Sequence, residues 1–104
     1  MTMEQAQALQ MVVAEVQNAR QQVAQINAQV RELEGTIAAV DSQPDDLALH
    51  RQMGAVLVEV EDRDQLKQDL QSTLDQLKDA LKTISAKEAE LISTYDQLKA
   101  TLEG

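Results

Sequence analysis

The sequence predicts a mainly α protein: a long antiparallel two-helix coiled-coil hairpin, folded back through a short β-hairpin linker. Three observations carry that prediction. Residues 2–42 and 62–103 each repeat apolar side chains at alternating steps of three and four. Between them, Gln43 to Glu61 loses that period and alternates with a period of two. The two apolar series also stay in phase when one is laid antiparallel on the other.

The bulk composition sets the limits. A chain of 104 residues makes one small domain. Tyr95 is the only aromatic residue, and Cys, Trp and Phe are absent. Without bulky aromatics, the apolar content suits thin helix-to-helix seams better than a wide globular core. The net charge is −9, from 18 acidic and 9 basic residues, which argues against nucleic acid and against anionic membrane surfaces as partners. The lack of cysteine removes disulfides, makes a zinc site an unattractive reading and fits a reducing compartment. No leader-like segment or long apolar run stands out, so the expectation is a soluble cytoplasmic protein.

The first helix is expected over 2–42. Thr2 is suited to the N-cap, and Gln5 three residues on completes a capping-box pattern. The seam then runs Leu9, Val12, Val16, Ala19, Val23, Ile26, Val30, Leu33, Ile37 and Val40. That spacing is a coiled-coil seam rather than the wider stripe of a globular helix. Gly35 falls on the outer face, where it weakens the helix by about 1 kcal/mol relative to Ala. Asp41, Ser42 and Pro44 end the helix, because proline disfavours helical geometry in the residue before it.

The linker is expected over 43–61. LALHRQM and AVLVEV alternate on either side of Gly54, and three valines occupy the second run. A tight turn at Met53 and Gly54 would place Leu47, Leu49, Val56, Val58 and Val60 on one face. Ala48, His50, Gln52, Ala55, Leu57 and Glu59 would share the other. A slip of one residue would exchange the faces.

The second helix is expected over 62–103, with Asp62 at the N-cap, Asp64 favourable to the helix dipole and Gln65 at the capping-box position. Its seam is Leu70, Leu74, Leu77, Leu81, Ile84, Glu88, Leu91, Tyr95, Leu98 and Leu102, with Glu88 the one polar member. Folded back, Val40 meets Leu70, Ile26 meets Ile84, Val16 meets Tyr95 and Leu9 meets Leu102. The two series keep step throughout, which favours one hairpin over two unrelated helices. At 1.5 Å per residue each arm would be about 60 Å long. A lone two-stranded hairpin is marginal in water, and its Val-rich edges invite other strands. The linker is therefore expected to join several copies into an oligomer with projecting arms.

With this architecture on the page, the chain resembles a β-class prefoldin subunit, of the ATP-independent co-chaperones of archaea and eukaryotes. The resemblance rests on HRQMGAVLVEVEDRDQLKQDL (50–70) and LDQLKDALKTISAKEAEL (74–91). The family shows an aromatic–Arg pair, a Gly three residues after the Arg, an apolar strand and an acidic turn opening the second helix. Arg51, Gly54, Val56 to Val58 and Asp62 follow that pattern, while His50 stands where Tyr or Phe is usual. A single short hairpin resembles the β class; α-class subunits carry a longer linker with two hairpins. The resemblance implies an oligomeric β-barrel of linker strands in a hetero-hexamer of two α-class subunits and four β copies. It also implies unfolded client proteins held between coiled-coil tips and delivered to a group II chaperonin, with no nucleotide or other cofactor.

The resemblance gives two groups of residues their expected roles. Met1, Met3, Ala6, Leu9, Met11 and Val13, with Leu98 and Leu102 from the second helix, form the candidate client-binding tip, and Ile92 lies near them. Methionine is flexible and polarizable, and suits surfaces that accept many partners. The bland reading of the same residues is an initiator Met with ordinary frayed ends. Leu47, Leu49, His50, Arg51, Gly54, Val56, Leu57, Val58 and Val60 form the candidate assembly interface.

Other singular residues read more plainly. Glu88 is either a register device or a side chain that reaches solvent beside the seam. Tyr95 is seam packing before it is a client contact. His50, the only histidine, has no cysteine or second histidine to share a metal. The pair Asp45 and Asp46 reads as a solvated loop. No phosphate loop, EF-hand spacing or catalytic triad is present, and a two-helix arm offers no concave pocket, so an enzyme is not expected. The alternative to a holdase is a structural coiled-coil adaptor that oligomerises through its linker.

Overall fold

The structure, a computed structural model, describes Thr2 to Glu103. Helix α1 spans Met3–Ser42, strand β1 His50–Met53, strand β2 Val56–Glu59, and helix α2 Arg63–Glu103. The mainly α class with a short antiparallel β-hairpin between two long helices is the one the heptads predict. The chain divides into two compact units: one runs to Asn27 and from Asp79 onward, and the other is Ala28–Lys78.

Both helix starts follow from their caps. At α1 the Gln5 N–H donates to Thr2 Oγ1 (3.1 Å) and the Thr2 N–H donates to Gln5 Oε1 (2.8 Å), the full reciprocal box. At α2 the Gln65 N–H donates to Asp62 Oδ1 (3.0 Å). The box is only half made there, because the Gln65 side chain donates forward to Asp69 Oδ1 instead (2.9 Å).

In the unit containing both chain ends, the two helical segments pack antiparallel. Val16 and Tyr95 line one groove, Ala19 and Leu91 another, and Arg20 faces Glu88. In the other unit Asp41 meets Lys67. All twenty seam residues named from the sequence are buried or half-buried, with Leu74 the most enclosed. The seam also continues one step further at each end, to the half-buried Ala6 and Leu66.

The hairpin departs from expectation in its turn. The pairing is His50 with Glu59, Arg51 with Val58, Gln52 with Leu57 and Met53 with Val56, so the turn residues are Gly54 and Ala55, not Met53 and Gly54. Gly54 has φ +62°, and no other described residue outside glycine has positive φ. Positive φ at the first loop residue alone is the pattern of a type II′ turn, which glycine adopts without a Cβ clash. Moving the turn by one residue shifts each pairing by two, so the two faces keep the membership expected for them. The strands are also shorter than the alternation suggests: residues 43–49 form turns and irregular chain, and only the Val60 N–H bond to Leu49 O (2.8 Å) extends the ladder.

Candidate functional site

Two surfaces correspond to the residues singled out from the sequence, one in each unit. Among the described residues no cluster of His, Cys, Asp or Glu could hold a metal ion, and no helix is long and apolar enough to cross a membrane.

The first surface is the β-hairpin. Every residue from His50 to Glu59 is exposed, while Leu49 and Val60 at its base are half-buried. Leu47, which lies before β1, is exposed as well. One face carries Leu49, Arg51, Met53, Val56, Val58 and Val60; the other carries His50, Gln52, Leu57 and Glu59. Both faces therefore present apolar side chains to solvent. Met53 belongs to this surface but was expected in the turn; its exposure matches that of Val56. In an antiparallel ladder, bonded and non-bonded pairs alternate. The Val60–Leu49 bond fixes the phase, so the backbone groups of His50 and Gln52 point out from one edge and those of Leu57 and Glu59 from the other. A two-stranded sheet has nothing to cover either edge, and both can accept a further strand.

The base of the hairpin is tied to its surroundings by Arg63. Its guanidinium donates to Gln43 O (2.8 Å), Pro44 O (3.1 Å) and Leu47 O (2.8 Å), and touches Asp45 Oδ1 at 3.3 Å. Heptad reasoning missed this residue. Its one sequence signal is a basic residue at the start of a helix, where the dipole disfavours it.

The second surface lies where the two chain ends approach. Met3 and Met11 are 79% and 63% exposed, and Val13 is also exposed, on a different side of α1 from Met11. Ala6, Leu9, Leu98 and Leu102 are half-buried in the seam. Leu98 and Leu102 still reach the surface, lining a hollow of about 210 Å³ with Glu4, Gln5, Ala8 and Thr101. Met1 lies outside the described residues. Further along, Val13 and the half-buried Ile92 and Tyr95 border a shallow groove of about 360 Å³ that also meets Arg20 and Asp96. Glu88 is drawn against Arg20 (3.8 Å) with its side chain 24% exposed, so it neither leaves the seam nor stands unpartnered.

Comparison with known proteins gives a consistent result. The prefoldin subunit family matches residues 3–104. No curated protein matches at a significant level. Among solved structures, the chain is similar to the crystal structure of the prefoldin beta subunit from Thermococcus strain KS-1. The TM-score is 0.86 and the identity 19%, over 96% of this chain and 87% of that one.

Proposed function

We propose that this chain, which belongs to the prefoldin subunit family and has the fold of a β-type subunit, is an ATP-independent holdase subunit. Members of that family are co-chaperone subunits rather than enzymes. On this reading residues 1–104 act as one prefoldin-like domain in the cytoplasm. The β-hairpins of several β copies and of an α-class partner close into a β-barrel within a hetero-hexamer. Unfolded proteins are then held at the surface where the chain ends meet and passed to a group II chaperonin.

The observation that carries this reading is the hairpin: two open edges and apolar side chains on both faces, on a family member whose helices already satisfy each other. A surface of that kind asks for strands from other subunits. Met3, Met11 and Val13 support the client role, because they are apolar, exposed and outside the seam. Several arms acting on one client would add avidity without requiring a tight single site. A fixed-partner adaptor does not require exposed apolar side chains at the ends of the arms away from its linker.

The reading is tested by deleting residues 1–10 and replacing Met11 and Val13 with Gln in the assembled complex. Suppression of client aggregation should fall while the native mass stays unchanged. Undiminished suppression would remove the client role from this surface.

A further inference from the structure

Arg63 opens α2, and a cation there sits at the positive end of the helix dipole. The end of α1 shows the matching anomaly, with Asp41 in its last turn and no basic residue. Neither choice makes sense within its own helix. Across the connection both do. Lys67 Nζ lies 3.3 Å from Asp41 Oδ1. Arg63 reaches further, so that one planar group gathers the carbonyls of Gln43, Pro44 and Leu47. Its side chain is 19% exposed.

Residues 43–49 have no regular structure, and their one internal backbone bond beyond the helix end runs from the Leu47 N–H to Pro44 O (3.1 Å). The guanidinium is thus the group that organises this segment. Only arginine presents a rigid fork of donors able to take several carbonyls together; a lysine ammonium is a single point charge on a flexible stem. The carboxylate contact is the lesser part. Asp45 is fully exposed, and an ion pair to such a group contributes little.

We infer that Arg63 is the positioning residue for assembly: it closes the 43–49 segment so that the hairpin meets neighbouring subunits already ordered. This rests on the reading of the hairpin as the assembly surface. A preformed hairpin binds better because less chain must be ordered when the subunits join.

The test uses the full chain carrying R63A, R63K or D45N. Hydrogen exchange is followed in the isolated protein at the Leu47, Arg51 and Met53 amides, which donate within the segment and the hairpin. The concentration for half-assembly with an α-class prefoldin subunit is read from native mass, and helix melting is recorded beside it. Losing three charge-assisted bonds should speed exchange in R63A about tenfold or more, and raise the half-assembly concentration about ten- to a hundredfold. R63K should fall between R63A and the unmodified chain, D45N should match the unmodified chain, and the melting of the helices should not move. An R63A chain that exchanges and assembles like the unmodified one overturns the inference. So does a D45N chain that reproduces R63A, or general loss of helix in both Arg63 variants. An unmodified chain that fails to assemble removes the proposed function and this inference together. An R63A variant that assembles as well as a competent unmodified chain removes this inference alone.

Discussion

Replacing Val56 and Val58 together by threonine should weaken assembly without disturbing the arms. The two side chains lie on one face of β2 and are 60% and 44% exposed. Full burial of a valine contributes at least ~1.5 kcal/mol and up to ~3 kcal/mol. About half of each side chain remains to be buried when subunits join, so each contributes roughly 0.7–1.5 kcal/mol to assembly. The pair is then worth roughly 1.5–3 kcal/mol per copy, or about 10- to 150-fold in the assembly constant. Threonine keeps the branched shape and the strand preference, so the hairpin itself is spared. Threonine keeps one methyl of each valine, so part of that contribution survives, while desolvating the new hydroxyl adds a loss of similar size and leaves the net weakening in this range. Native mass measured across a concentration series with an α-class subunit reads the shift directly, and circular dichroism confirms that the helices are intact. An unchanged assembly midpoint would refute the assignment of this face to a subunit interface.

The same substitution at two glycines should act with opposite signs. Gly35 sits mid-helix with nothing within 4 Å of an added Cβ, so G35A should stabilise the helices by about 0.5–1 kcal/mol in urea unfolding. Gly54 holds φ +62°, so G54A should instead weaken the hairpin by about 1–2 kcal/mol, seen as faster hydrogen exchange between His50 and Glu59. At the one polar seam position, E88L should raise the unfolding free energy obtained from urea denaturation by about 1 kcal/mol. A half-buried carboxylate is exchanged for apolar packing, and the lost partner Arg20 is mostly exposed.

The fold was legible because its signals are local and repetitive. A heptad seam repeats over many turns, so single exceptions such as Glu88 and Gly35 do not obscure it. The caps at Thr2 and Asp62 are equally local. The hairpin turn was displaced by one residue because Met53-Gly54 and Gly54-Ala55 both put glycine in a two-residue loop. Only the sign of φ at each loop position separates them. Face membership survived because the displacement preserves the alternation. The strands end at His50 and not Leu47 because Leu47 O is held by Arg63, a contact 16 residues away that no period encodes. The partner of Glu88 escaped notice for the same reason. Exposure of Met3, Met11, Val56 and Val58 follows from their positions outside the seam. What those surfaces bind depends on other chains, and the sequence speaks to that only through its family.

The most direct test of the central claim is client protection without nucleotide. A chemically denatured protein is diluted into the chain assembled with an α-class prefoldin subunit, and light scattering is followed in the absence of ATP. A holdase predicts that scattering is suppressed at near-stoichiometric complex and is unaffected when ATP is added. Scattering that matches the uncatalysed control at a molar excess of assembled complex would contradict the account.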